Sequence, residues 1–398
     1  MFIEKELPNL AESNKSQLKG ILKTLIAINT VNPPGNETLL VNEVAKIFKK
    51  QKIKYKIFSK SKNRANIVAT IGKGKKELLF AVHSDTVPAN PKSWNTNPFN
   101  LVEKKGKFYG RGVEDNKGPA ASAILAFLLL KRYEKCLRYR ISLAILADEE
   151  RGSKYGMKYL LESKKIMPDY AIVLDIDNNM KAISIGEKGI LRLKIMSFGK
   201  AAHASNPKEG VNAIANASAL INEIKNFKFG HKNSSKKLFS GPTLNIGTIK
   251  GGSAINVVPD CCEFTLDIRY LPNQDPKKII CQIKKIASRI ASKNKKSKCK
   301  FRFKLLSDEK PFEEAEDNVL VGLLCEAVSK TLGFKPKVIG LSGGTDTRRL
   351  VHFGINAIGY GAGNHQAHKN NESIEIKQLL DLSKVILLLS LTFSEKLS

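Results

Sequence analysis

Apolar residues recur at helical spacing over residues 15–29, and the run stops at the turn-forming VNPPGNE. A second helical pattern covers residues 37–51, and short β-rich runs follow at residues 54–59, 65–71 and 77–82. The pattern then predicts a helix over 118–133, a strand over 138–147, a helix over 155–161 and a strand over 170–174. Strands alternating with helices of this length imply a largely parallel sheet covered on both faces.

The character changes after GEKG at residues 186–189. Residues 190–198 alternate like a strand, residues 211–224 read as a helix, and residues 243–249 and 260–270 read as a hairpin with Gly251 and Gly252 in its turn. A helix over 276–290 and a strand over 299–306 complete a small α+β unit. From residue 318 the α/β style resumes, with a helix over 318–332, a strand over 355–359 and a closing helix over 376–394. The expectation is one α/β domain in two pieces, 1–189 and 308–398, with a smaller domain inserted at 190–307. There is no internal repeat and no low-complexity tract.

Composition adds little to this picture, and charge adds a question. A chain of 398 residues, 42% hydrophobic and 26% charged, suits an ordinary globular protein of two domains. The net charge of +30, from 67 Lys+Arg against 37 Asp+Glu, would attract anions such as nucleic acid or an acidic membrane surface. The lysines are spread along the chain, however. The densest run, KNKKSKCK at 293–300, reads as a surface turn, and no nucleic-acid module accompanies it. A non-catalytic, basic nucleic-acid-binding protein is therefore the alternative of another class, and no nucleic-acid partner is expected. The six cysteines form no CxxC pair and suit free thiols in a reducing compartment. MFIEKELPNL carries early acids and no apolar run, and the most apolar stretch, 120–130, is too short for a bilayer and reads as a buried helix. These features predict a cytoplasmic protein without a membrane partner.

The chemistry gathers at strand ends. In an open α/β sheet, ligands bind beyond the carboxyl ends of the strands. ELLFAV runs into His83, Ser84 and Asp85; ISLAILA runs into Asp148, Glu149 and Glu150; YAIVL runs into Asp175. INAIGYG leads into a loop with His365 and His368, and Asp115 stands just ahead of a helix. Taken singly, a strand-end Asp is usually a turn residue or a cap, and a histidine is usually structural. Brought to one edge, these imidazoles and carboxylates are the ligand set of zinc or a related divalent cation.

AINTVNPPGNE, HSDTVP, WNTNPF, FYGRGVEDNKG, ADEERGS, SIGEKG, GKAAHASNPKEGVNAI, GGSAINVVPD, SGGTDTRRL and HQAHKNNES occur in that order across nearly the whole chain. The series resembles the M20 family of metallopeptidases, which includes aminoacylases, carboxypeptidases, dipeptidases, acetylornithine deacetylase and succinyl-diaminopimelate desuccinylase. The resemblance implies a zinc-peptidase-like catalytic domain with an inserted, ferredoxin-like lid or dimerisation domain. It makes His83 and Asp175 ligands of one metal, Glu150 and His368 ligands of the other, and Asp115 the bridge. Zinc is the first expectation for the two ions, and cobalt or manganese fits the same ligands. Asp85 would orient the metal-bound imidazole, and Glu149 would be the general base that takes a proton from the water shared by the ions and later delivers it to the leaving amine.

In the inserted domain, His203 resembles a lid histidine that reaches a partner's site and steadies the oxyanion, so a homodimer is implied. Asn256, Arg269, Gly344, Thr345 and Arg348 resemble substrate-binding residues, with Arg348 preferred over Arg349 from the TD-x-R spacing. Arg269 could instead be a strand residue paired with a nearby acid. His365 is read as a loop residue, and His231 and His352 as structural. The implied reaction is hydrolysis of a dipeptide or an N-acyl-amino acid beside a free carboxylate. Succinyl-diaminopimelate desuccinylation or acetylornithine deacetylation is the alternative, because Asp175 suits the dipeptidase branch while NTVNPPGNE and SGGT suit the deacylase branch.

Overall fold

The computed structural model describes residues 12–229, 238–293 and 299–396. His231, the first residues MFIEKELPNL and residues 294–298 of the lysine-rich run lie outside them. The chain opens with α1 (Lys15–Ala27), α2 (Glu37–Lys50), β1 (Lys54–Ser61), β2 (Arg64–Ile71), β3 (Glu77–His83), β4 (Val102–Lys104) and β5 (Lys107–Tyr109). Then come α3 (Lys117–Leu130), β6 (Arg140–Leu146), α4 (Met157–Glu162), β7 (Tyr170–Val173) and β8 (Ala182–Glu187). The middle of the chain forms β9 (Gly189–Phe198), α5 (Ala213–Ile224), β10 (Thr243–Gly251), β11 (Cys261–Tyr270), α6 (Pro276–Lys293), β12 (Lys300–Glu309) and β13 (Phe312–Glu313). The last part forms α7 (Val319–Leu332), β14 (Lys337–Leu341), α8 (Thr347–His352), β15 (Asn356–Gly359), β16 (Ser373–Glu375) and α9 (Ile376–Lys396).

Two compact units result. One comprises the chain up to Ile185 together with Glu314–Ile339 and Thr345–Ser398; the other comprises Gly186–Glu313 and Gly340–Gly344. The chain therefore makes one more excursion into the second unit than the sequence pattern predicts, at Gly340–Gly344.

In the first unit the strand order is β1-β2-β6-β3-β7-β15-β8. The centre, β6-β3-β7-β15, is parallel, and antiparallel pairs flank it at β1-β2-β6 and β15-β8. Central strands buried on both faces lose their polar alternation, so β3 is buried from Leu78 to His83 and β6 from Ile141 to Leu146. Leu79, Ala81, Ala144, Leu146, Ala171 and Val173 pack with Met157 and Leu160 of α4 on one face. Across β3 and β6 lies α3, every residue of which is buried, and it packs against α9. The apolar stretch at 120–130 is thus a core helix, as its length predicted. A small sheet, β16-β5-β4, escaped the pattern because its strands are only three residues each.

In the second unit the order is β10-β11-β9-β12, all antiparallel. β9 and β11 alternate strictly. Leu191, Leu193, Ile195, Phe264, Leu266 and Ile268 face Leu220 of α5 and Ile283 of α6. Ion pairs Arg192–Asp267 and Lys194–Glu263 occupy the other face. Gly251 ends β10 opposite Cys262, and residues 252–260 form the loop that joins the two strands of the expected hairpin. Among the described residues no helix is long and apolar enough to cross a membrane.

Candidate metal centre

The three parallel strands deliver their last residues to one edge. β3 ends in His83, and the backbone N–H of Ser84 donates to the Leu146 carbonyl (2.8 Å), which keeps the ends of β3 and β6 level. Beyond β6, Asp148 takes a left-handed turn (φ 66°) that redirects Glu149 and Glu150. Beyond β7, Leu174 still bonds to Ala81, and Asp175 follows. Asp115 stands before α3, and His368 lies in the loop after β15, itself left-handed (φ 64°).

These residues form two groups whose ligand atoms lie within 4.8 Å of one another: His83, Asp115 and Asp175, and Asp115, Glu150 and His368. Asp115 belongs to both. Its Oδ1 is 2.7 Å from Nε2 of His83, and its Oδ2 is 3.1 Å from Nε2 of His368. His368 Nε2 is also 3.2 Å from Glu150 Oε2, and His83 Nε2 is 3.9 Å from Asp175 Oδ1. Glu149 belongs to neither group.

The electrostatics are those of carboxylates crowded beyond what burial tolerates. Burial pushes Asp175 up to about 7, with the charges of Asp115 and Glu150 adding to it. Burial, and then the charge of Asp175, holds Glu149 well above the usual carboxylate range. Glu150 is raised by burial against the pull of His368. Burial opposes ionisation of Asp115, yet hydrogen bonds from His368 and His83 hold it below its ordinary value. Hydrogen bonds to Asp115 and Glu150 raise His368 to about 10. Oε1 of Glu150 is buried without a hydrogen-bond partner. An unpartnered carboxylate oxygen, two imidazoles and a shared aspartate fit a pair of divalent cations, whose charge would relieve this crowding.

Several residues that the sequence reading left aside hold the ligands. Glu372 of the HKNNES loop is fully buried; its Oε1 accepts the backbone N–H of Glu114 (2.8 Å) and Asp115 (3.1 Å). Its Oε2 accepts Gly112 N–H (3.0 Å) and Arg111 Nη1 (2.7 Å). Glu114 returns the arrangement: it accepts the N–H groups of Asn364 (2.8 Å), Gln366 (2.6 Å) and Ala367 (3.0 Å). Each glutamate thus ties down the loop that carries the other, which fixes Asp115 against His368. Asp346 is also buried at this edge. It accepts Ser153 Oγ (2.5 Å) and Arg349 Nε (3.1 Å), while its Oδ2 has no hydrogen-bond partner. The only sequence signal for these acids was their place inside motifs already singled out for neighbouring residues.

Asp85 lies closer to the backbone of the acid loop than to the imidazole. Its carboxylate accepts Glu149 N–H (3.0 Å) and Glu150 N–H (3.2 Å), while Nδ1 of His83 is 3.5 Å from Oδ1 and 3.1 Å from the Asp85 carbonyl oxygen. Of the arginines in α8, Arg348 is 3% exposed. Arg349 pairs with Asp346, and its Nη2 would lie 3.8 Å from a Cβ placed on Gly152, so it leans toward the turn after Glu150. Thr345 Oγ1 accepts Thr347 N–H (3.1 Å) at the start of α8. His365 pairs with Asp177 (3.1 Å) outside both groups, and His352 ends α8.

His203, Asn256, Arg269 and Gly344 belong to the second unit. His203 is exposed and pairs with Val257 as an isolated bridge, next to Asn256, whose carbonyl accepts Ala204 N–H (3.0 Å). Arg269 bonds to Asp267 (2.6 Å) and to the Ser342 carbonyl (3.0 Å), beside Gly344 in sequence.

Ligand groups of this kind at the carboxyl edge of an α/β sheet are those a metal-dependent enzyme would present. Comparison with known proteins makes the class specific: a profile of Peptidase family M20/M25/M40 matches residues 79–392. The chain belongs to this family and is a hydrolase acting on amide or peptide bonds. It is 31% identical over 346 residues to an uncharacterised metallohydrolase of Methanocaldococcus jannaschii, covering 81% of this chain and 82% of the relative. A succinyl-diaminopimelate desuccinylase of Rickettsia bellii is 28% identical over 375 residues, 92% of this chain and 93% of its own. Among solved structures, a tripeptidase of Staphylococcus aureus superimposes with a TM-score of 0.78 at 23% identity, covering 96% of this chain and 99% of that one. At that identity the likeness speaks for the fold.

Proposed function

We propose that this protein hydrolyses the amide of a dipeptide or an N-acyl-amino acid next to a free carboxylate, using two divalent metal ions, zinc first among them. One observation carries the reading: Asp115 is shared by two ligand groups while Glu149, equally buried at the same edge, belongs to neither. His83, Asp115 and Asp175 would hold one ion, and Asp115, Glu150 and His368 the other. When bound, the ions supply Lewis acidity toward a carbonyl oxygen and acidify water.

Glu149 takes a proton from the attacking water on its free carboxylate and passes it to the leaving nitrogen. Asp85 keeps that carboxylate in place through the Glu149 amide. Of the two arginines, Arg349 is the better placed for the substrate carboxylate, since Arg348 is buried in α8. Thr345, Gly344, Asn256 and Arg269 are assigned to substrate binding on the family pattern. Nδ1 of His203 lies against Ser205, 2.7 Å from its Oγ and 3.2 Å from its N, so Nε2 is the ring nitrogen that would face a developing oxyanion. That histidine is assigned to the site of a second copy in a homodimer.

Similarity to a desuccinylase over 92% of the chain supports a second reading, an N-succinyl amino acid as substrate. The test is release of free amine from a panel of dipeptides, N-acetyl- and N-succinyl-amino acids, followed by mass spectrometry with zinc-, cobalt- or manganese-loaded protein. Turnover of one class assigns the substrate. No turnover with two equivalents bound would refute both readings.

A further inference from the structure

The NPPGNE turn leads into α2 and has no part in the reaction described above, yet it is bonded directly into the acid cluster. Nδ2 of Asn32 donates to Asp85 Oδ2 (2.9 Å) and to Asp148 Oδ1 (2.9 Å). Arg64 Nη2 donates to the same Asp148 oxygen (2.8 Å), while its Nε and Nη2 form a fork on Glu37 (2.8 Å each) and Nη1 reaches the Pro34 carbonyl (3.2 Å). Asp148 Oδ2 accepts Tyr155 N–H (3.2 Å), and the guanidinium lies 4.8 Å from the Tyr155 ring. Asn32, Glu37, Arg64, Asp85 and Asp148 are all 8% exposed or less. The turn itself is shaped for this contact: Gly35 has φ +79°, and a Cβ there would lie 2.6 Å from Arg64 Nε.

The connection matters because of what Asp148 does. It holds a left-handed backbone, which costs energy outside glycine and persists only when its surroundings over-determine it. Those surroundings are Arg64, Asn32 and the Tyr155 amide on its carboxylate. The next two residues, Glu149 and Glu150, have their amides on Asp85, which shares Asn32 with Asp148. Rotation of Asp148 would swing Glu150 away from Asp115 and His368. The group His83, Asp115 and Asp175 contains no residue of this loop.

We infer that Asn32 and Arg64 are positioning residues for one metal ion of the pair, acting through Asp148 and Asp85 on Glu150. The inference rests on the two-metal reading. The test is titration of metal-free protein with Co2+, followed by visible absorption and calorimetry, for wild type, Asn32→Ala, Arg64→Gln, Arg64→Lys and Glu150→Gln, with melting of each metal-free form by circular dichroism. Asn32→Ala and Arg64→Gln should weaken one of the two Co2+ equivalents about 10–100-fold, the usual cost of losing a partner behind a ligand. For Arg64→Gln the other equivalent should keep its wild-type affinity, because Arg64 reaches Asp148 and not Asp85, the neighbour of His83. Glu150→Gln should weaken the same equivalent, and adding Asn32→Ala to it should weaken it no further. Arg64→Lys, which keeps the charge facing Asp148, should recover part of the loss. If Asn32→Ala does not fold, Asn32→Ser carries the same expectation. Unchanged affinity of both equivalents would overturn the inference, as would parallel weakening of both in Arg64→Gln with a lowered melting temperature. Fewer than two equivalents on wild type would refute the two-metal reading itself, and this inference with it.

Discussion

Glu372→Ala tests whether the site is built as described, because Glu372 touches no proposed reacting atom. Its carboxylate takes four donors: Arg111 Nη1 and the amides of Gly112, Glu114 and Asp115. Arg111 is 2% exposed, and its remaining bonds, to the Pro88 and His368 carbonyls, are long at 3.4 and 3.5 Å. Removing one partner of a buried ion pair costs about 3–5 kcal/mol. Each amide stranded without an acceptor costs about 1–3 kcal/mol more, reduced where water enters the space left behind. The alanine variant should therefore lose about 6 kcal/mol, the lower end of these costs taken together, or about 12 °C in melting temperature at roughly 2 °C per kcal/mol for a large domain. Glu372→Gln can keep an acceptor on the Glu114 and Asp115 amides but turns an NH2 toward Arg111, and should lose about half as much. Scanning calorimetry of the metal-free protein measures the loss. Zinc titration should show both ions weakened, because Asp115 serves both groups. A melting temperature within about 2 °C of wild type, with both ions bound normally, would refute the reciprocal tie between the two loops.

Glu149→Gln should bind two metal ions and lose about 10²–10⁴-fold in turnover; loss of an ion would mean that Glu149 and Glu150 have exchanged roles. Metal binding should release protons, because the bonds to Asp115 and Glu150 raise His368 to about 10 and ligation requires a neutral ring. Affinity should accordingly rise with pH toward that value, and calorimetry in buffers of different ionisation heat would count the protons; binding without pH dependence refutes it. The same raised pKa adds stability to the metal-free protein that is complete below about pH 6.5 and fades as pH climbs to about 10, so melting temperature should fall across that range. Arg349→Met should raise KM roughly tenfold or more with kcat little changed, whereas Arg348→Met should act on stability; the reverse assignment would restore Arg348 as the carboxylate-binding residue.

The α/β alternation and the core helix at 120–130 were legible because long periodic runs report their own burial. The five candidate ligands were singled out through motif resemblance and strand-end placement, and the structure brings their ligand atoms together in two groups. The supporting residues were harder to see. Arg64 opens β2 and looks like a flanking charge; its role depends on Glu37 and Asp148, which lie 27 and 84 residues away. Glu114 and Glu372 are 250 or more residues from the loops whose N–H groups they accept, and nothing local marks them. The role of Asp85 looked simple from its spacing to His83, yet spacing carries no information about the Glu149 and Glu150 amides. Arg348 and Arg349 are neighbours on a helix, where a one-residue choice turns a side chain about 100° around the axis.

The division of the first unit also sets an order of assembly on the ribosome. The second unit is almost continuous, Gly186–Glu313, and can close its own sheet while the rest of the chain is still being made. The first unit cannot: β7 has no neighbour on its outer side until β15 emerges, and the Gly112, Glu114 and Asp115 amides have no acceptor until Glu372 follows. Until then the nascent chain exposes a bare parallel edge and an acid loop without its anchor, a window in which pairing with the wrong strand is the main hazard. Catalytic competence is thus the last property the chain acquires, conferred by the segment that also seals its sheet.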